Sequence, residues 1–163
     1  MIAAIALAVG VWENVQMRAH NRLSVTPHLA LTAEFHNADA DSVGQGIIRV
    51  SNEGVGPAVI DRIDVLVTGD DGTQQQFATW GDARLLLEDL LDANLARRVE
   101  LGDGVMLGVD RSHDLAIFEK SLEADESLFP ALLDRLDLRI SYHSVYGEPY
   151  EADLGGNGNR AGT

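Results

Sequence analysis

The 163-residue sequence has no cysteine. That excludes disulfides, thiolate catalysis and zinc–thiolate sites, and fits an oxidising or a reducing compartment equally. Lysine is nearly absent as well: Lys120 stands alone and every other basic side chain is arginine. No internal repeat is present, which argues against a propeller or solenoid. A complete membrane-crossing run is also missing. The apolar stretch Met1–Val11 has 11 residues, about 17 Å as a helix against a hydrocarbon core of about 30 Å.

What stands at the front is nevertheless the layout of an anchor. MIAAIALAVGVW (1–12) carries no charged side chain, and Arg18 and Arg22 follow just past it. Positions 2–11 are apolar all the way round, which disfavours the alternative of a buried amphipathic helix of a soluble protein. Continuing the helix through Glu13, Asn14 and Gln16 would put a carboxylate and two amides at membrane depth. The stretch therefore reads as a truncated span whose start lies upstream. A cleaved signal peptide is disfavoured, because no basic n-region precedes the run and no small-x-small site follows it. The flanking arginines, under the positive-inside rule, place the body in the cytoplasm beside an inner or plasma membrane.

Charge divides the chain at the same point. Residues 1–23 hold two arginines and one glutamate, while the remainder sets 25 acids against 10 basic residues, a net −15 within the chain's −14. Such a polyanion repels phosphate backbones and anionic head groups, which argues against nucleic-acid binding and against lying flat on a membrane. Acid-rich, lysine-poor composition fits a salt-adapted or high-GC source, or attraction to basic protein partners.

The body reads as strands separated by turns. After Pro27, LALTAEFH alternates with Leu29, Leu31, Ala33 and Phe35 on one face, and GIIRVSN (46–52) and AVIDRIDVLVTG (58–69) follow. Asp70, Asp71 and Gly72 make a turn into QQQFATW. From Asp82 as N-cap, ARLLLEDLLDANLARR predicts a helix pairing Leu86 with Leu90 and Leu87 with Leu91, and ending on Arg97 and Arg98 where the dipole favours cations. VEL-GDG-VMLGV (99–109) reads as two short strands about a glycine turn. Ser127 is expected to cap a second short helix with Pro130 in its first turn. Leu138, Ile140 and Tyr142 alternate again before Tyr146 and Gly147 turn back to Tyr150, and LGGNGNRAGT closes the chain as a flexible tail. The expected fold is mainly β: an antiparallel Greek-key, immunoglobulin-like β-sandwich with two short inserted helices, preceded by an N-terminal apolar helix. The segments are 1–23 for anchor and juxtamembrane stretch, 24–153 for the acidic sandwich and 154–163 for the tail.

Three motifs carry a resemblance. HNRLSVTPHLAL (20–31) directly after an apolar segment, SNEGVGPAVI (51–60) with its N-x-G-x-G-P-A connection, and ISYHSVYGEPY (140–150) with its Y-x-S-x-Y-G-x-x-Y hairpin occur in this order. In that arrangement the chain resembles a widespread group of small bacterial membrane-tethered β-sandwich proteins without an assigned function. The resemblance implies architecture and a tether. It brings no catalytic or ligand residues, and the apolar segment here is shorter than the group's full span.

Read for chemistry, the candidates reduce to structure. In Asn52–Pro57 the glycines can take positive φ, Asn52 can close an Asx turn and Pro57 fixes the chain before Ala58. A phosphate loop would need a helix after the glycines and a Lys followed by Ser or Thr. Asp110, Ser112, His113 and Asp114 have the residue types of a hydrolase triad but are too close in sequence to converge, and read as an exposed polar loop. Asn37, Asp39 and Asp41 imitate a calcium loop, with Ser42 where Gly is needed and Ile48 where the bidentate Glu belongs. His28 and His36 lie about 26 Å apart on an extended strand, too far to share a metal. His20 and His143 show no partner in the sequence, and Glu148 and Glu151 flank a hairpin turn as solvated carboxylates. The expectation is no catalytic residue, no cofactor-binding or metal residue and no cofactor. The function expected is a membrane-tethered, non-catalytic binding or assembly module for a protein partner. The alternatives are a structural subunit of a membrane complex and an enzyme with an unrecognised site.

Overall fold

The computed structural model describes residues 12–13, 16–17, 25–36, 44–91, 94–120 and 133–154. Most of the anchor segment, His20, the calcium-like stretch at 37–42, the expected helix at Ser127–Pro130 and the tail beyond Leu154 lie outside them. Residues 12–13 and 16–17 are helical. Among the described residues no helix is long and apolar enough to cross a membrane.

The chain is mainly β, in two antiparallel sheets. Its elements are β1 (Leu29–His36), β2 (Gly44–Asn52), β3 (Ala58–Thr68), β4 (Gln74–Phe77), α1 (Trp80–Leu91), β5 (Asn94–Arg98), β6 (Met106–Leu107), β7 (Ser112–Lys120), β8 (Leu136–Ser144) and β9 (Pro149–Leu154). One sheet runs β1-β2-β7-β5 and the other β4-β3-β8-β9, with β6 on the flank of β3.

Alternation builds the core where the strands are regular. Along β8, Leu136, Leu138, Ile140 and Tyr142 are buried, while Asp137, Arg139, Ser141 and His143 face outward. In β3 the parity switches: Ala58 and Ile60 are buried, then Ile63, Val65 and Val67. The register against β8 shifts between Ile60 and Arg62. This bulge absorbs one residue and returns both halves of the strand to the core face. Each such Val, Leu or Ile contributes about 1.5–3 kcal/mol through burial.

Three expectations are corrected here. The helix starts at Trp80, with Thr79 as its cap in place of Asp82: the Thr79 hydroxyl accepts from the Asp82 N–H at 3.1 Å and donates to Asp82 Oδ2 at 2.8 Å. It also ends at Leu91, so Arg97 and Arg98 lie on β5, which covers the far side of β7. Pairing with β7 outweighs the helical propensity of NLARR. The region 99–109 supplies one short strand, β6. Finally, the polar stretch beginning at Ser112 opens β7, a central strand of its sheet. Leu115 and Ala116 are both buried, because Leu115 sits in a bulge where Ile48 pairs with Ala116 and Arg49 with Asp114. Alternation is thereby broken and the strand is masked in the sequence. On β1, Leu29 is buried and Leu31 packs against the core, whereas Phe35 reaches the surface.

Candidate functional site

Four segments meet at one end of the sandwich: the entry 25–28, the β2–β3 turn at 53–57, the β6–β7 connection at 108–111 and the β8–β9 turn at 145–148. The first three are held by Asn52, which is 1% exposed. Its Oδ1 accepts from the Gly54 N–H at 3.0 Å, which is the expected Asx turn, and from the His28 N–H at 3.3 Å. Its Nδ2 donates to the carbonyls of Gly56 at 2.9 Å and Leu107 at 3.0 Å. The Asn52 backbone donates to Arg111 O and accepts from Asp110 N. All of its side-chain hydrogen-bonding capacity is spent on backbone.

The glycines of this turn act differently from the expectation. Neither Gly54 nor Gly56 has positive φ. A Cβ on Gly54 would lie 2.3 Å from the His28 nitrogen, and one on Gly56 would lie 1.8 Å from the Val25 oxygen. They are glycines because the entry segment crosses directly over them, with Val55 N and Gly56 N donating to Thr26 O. The β8–β9 turn does use positive φ, at Gly147 (78°). Buried Ser144 holds that turn, its hydroxyl accepting from the N–H groups of Tyr146 and Glu148. Tyr142 and Tyr150 stack across the hairpin with centroids 5.6 Å apart, and the Tyr142 hydroxyl accepts from the Leu29 N–H. Burial raises the pKa of the Tyr142 phenol.

Around this scaffold the end carries an apolar rim. Val55 is 64% exposed, Tyr146 51%, Val145 48% and Val109 40%, and Met106 stands close by on β6. The rim was not legible as a unit in the sequence, since its members come from three separate turns.

The sequence-level chemical candidates are dispersed. Asp114 bonds Arg49 at 2.7 Å, and Arg49 also meets Glu34 at 3.2 Å. The carboxylates raise the pKa of the Arg49 guanidinium, chiefly through the hydrogen bond to Asp114. Ser112 and His113 are successive residues on β7, opposite Ser51 and Val50, and so point to opposite faces. Ile48 is buried in the core. His28 and His36 are both exposed, at the two ends of β1. Glu148 receives the Tyr150 hydroxyl at 3.3 Å, and Glu151 sits opposite Ser141.

One contact corrects the reading of His143 as unpartnered. Its Nδ1 lies 2.7 Å from Asp61 Oδ1, on the outer face of the second sheet. Asp61 occupies the β3 bulge, 82 residues away, so no local pattern could reveal the pair. A histidine oriented by a carboxylate is half of a general-base arrangement. Among the described residues no hydroxyl bonds its other nitrogen, and no group of three histidines or acids is placed to hold a metal.

No family model matches the chain, and no curated protein matches it. Among solved structures it is similar to the putative ApaA protein from Bordetella pertussis, with 14% identity over 82% of this chain and 96% of that one and a TM-score of 0.38. A second, Northeast Structural Genomics Consortium target SoR45, shares 11% identity over 84% of this chain and 92% of that one, with a TM-score of 0.37. At those scores neither likeness bears on function.

Proposed function

We propose that this chain is a non-catalytic assembly module, tethered to a membrane through an N-terminal apolar helix, whose Greek-key, immunoglobulin-like sandwich adds a strand of a protein partner at β4. The strand orders β1-β2-β7-β5 and β3-β8-β9 support the fold label, corresponding to A-B-E-D and C-F-G with β4 as an added edge. The tether rests on the uncharged run Met1–Trp12 and the arginines after it, which also favour a body on the cytoplasmic side.

The observation that carries the binding role is the contrast of the edge strand β4 with the edge strands β5 and β9. Unsatisfied edge strands invite pairing, and proteins guard them with charge, proline or bulges. β9 begins with Pro149 and carries Glu151 and Asp153. β5 is bulged between Leu95 and Arg97 and presents Arg97 and Arg98. β4 reads QQQF: Gln74, Gln75 and Gln76 are exposed and uncharged, and its pairing with β3 is regular. An extended segment of a partner fits such an edge by main-chain pairing, and a net −15 body favours one of basic charge.

The test uses full-length protein in membranes with a photoreactive side chain at Gln76. A discrete protein adduct is expected, absent when the same group replaces exposed Asp103. Gln75→Lys should abolish the adduct while thermal unfolding stays within about 0.5 kcal/mol of wild type. Equal labelling from both positions sinks the edge reading, and release of the chain by carbonate sinks the tether.

A further inference from the structure

The apolar rim and the chain's entry lie at the same end, and we infer that this end stands on the bilayer, with Val55, Val109, Val145 and Tyr146 seated in its interface. The inference rests on the tether proposed above. Two hydrogen bonds between Asn52 and residues 110–111 tie the β2–β3 turn to the β6–β7 connection. The pairing of Ala58 with both Ser144 and Leu107 ties these to the β8–β9 turn. The rim is therefore one surface, and Val25 and Thr26 cross it against Gly56 and Gly54.

The length of chain in front of that crossing selects the occupant. Trp12 closes the uncharged run, and Arg18 and Arg22 follow at the level where cationic side chains reach head groups. Only two residues, Leu23 and Ser24, separate Arg22 from the start of the body at Val25, at most about 10 Å of extended chain. A body held so closely presents its entry end to the lipid. Three aliphatic side chains and a tyrosine, exposed among polar neighbours, suit the boundary between acyl chains and water, where tyrosine is enriched. The remainder of the acidic surface keeps the body from lying flat, so the contact is end-on. Glu53, Asp110 and Glu148 share this end with Arg111 and His28, which favours a zwitterionic over an anionic head group.

The absence of cysteine makes the test direct. Single-cysteine variants Val55→Cys, Val109→Cys and Tyr146→Cys, and Asp71→Cys at the opposite end, are labelled with an environment-sensitive fluorophore. The full chain is then reconstituted in phosphatidylcholine vesicles containing nitroxide-labelled lipid. The chain should float with the vesicles. The three rim labels should shift to the blue and lose intensity to the nitroxide, the Asp71→Cys label should do neither, and the loss should shrink as phosphatidylglycerol is added at low salt. Flotation without rim quenching overturns the apposition and leaves the tether standing. Equal quenching at position 71 overturns the end-on geometry. Rim labels shielded from an aqueous quencher yet untouched by the lipid nitroxide assign the rim to a protein. Failure to float removes the tether and the apposition with it.

Discussion

The two ends of the sandwich are built on different physics. At the entry end, segments distant in sequence are joined by backbone contact and by the buried amide of Asn52, which reaches His28, Gly54, Gly56 and Leu107. At the far end the β3–β4 turn is local. Gly69 N donates to Thr73 O, Gly72 takes positive φ in open space, and Asp71 Oδ1 accepts from Thr73 N. That backbone hydrogen bond, seconded by the Thr73 hydroxyl, lowers the pKa of the Asp71 carboxyl. Charge gathers at this end too, in the Asp70–Arg135 ion pair and in Asp137 on β8. The comparison teaches that a turn closing on itself tolerates change, whereas a turn through which other segments are fixed does not.

The largest expected effect follows from the closest approach. Gly56→Ala would force a methyl group into the Val25 carbonyl, 1.8 Å away, and the entry segment would have to lift off. We expect a loss on the order of 3–5 kcal/mol, a fall in melting temperature of roughly 10 °C for a domain of this size. Gly72→Ala meets no atom within 4 Å and should cost only about 1–2 kcal/mol, the steric cost of a left-handed residue. Thermal unfolding of both variants measures the contrast. Equal losses would erase the distinction between the ends.

Asn52 sharpens it. Removing the amide in Asn52→Ala leaves the carbonyls of Gly56 and Leu107 and the N–H of His28 without their partner, for about 2–4 kcal/mol at the usual cost of stranded buried groups. Asn52→Asp is the more telling change. It preserves the acceptor of the Asx turn but turns an oxygen toward two carbonyls, so it should destabilise at least as much as Ala. If Asp proves as stable as Asn in chemical unfolding, Asn52 closes a turn and nothing more.

Those residues also mark where the sequence was readable. Regular alternation in β8 and the hairpin signature around Tyr146 and Gly147 gave the hairpin with the correct faces, because each side chain there answers only to local periodicity. Asn52 was legible as a turn former; its links to Leu107 and His28 were not, since they depend on segments brought together by the fold. The same reason hid His143 with Asp61 and the apolar rim. Bulges account for β7, where two consecutive buried residues break the pattern, and sheet closure accounts for β5, where a helix-forming sequence is recruited to cover a strand. In both cases a tertiary demand overrode a local preference.

The smallest effect belongs to the far end and depends on pH. Burial raises the pKa of the Asp137 carboxyl, with the charge of Asp153 adding to it and Arg139 opposing. Its buried Oδ1 has no hydrogen-bond partner among the described residues. A folded-state pKa above the unfolded value, about 3.9, means that the folded state holds the proton more tightly. The resulting stabilisation is fully present below the unfolded pKa and is lost as pH rises through the folded one, leaving the carboxylate as a net cost at neutrality. Asp137→Asn should therefore stabilise at pH 7 by about 1 kcal/mol, or about 2–4 °C in melting temperature. The gain should vanish by about pH 3, where the wild-type carboxyl is protonated in both states. Melting curves at the two pH values decide the matter. A gain that persists at low pH would trace to hydrogen bonding rather than charge, and the far end would lose the electrostatic character that separates it from the uncharged stitching around Asn52.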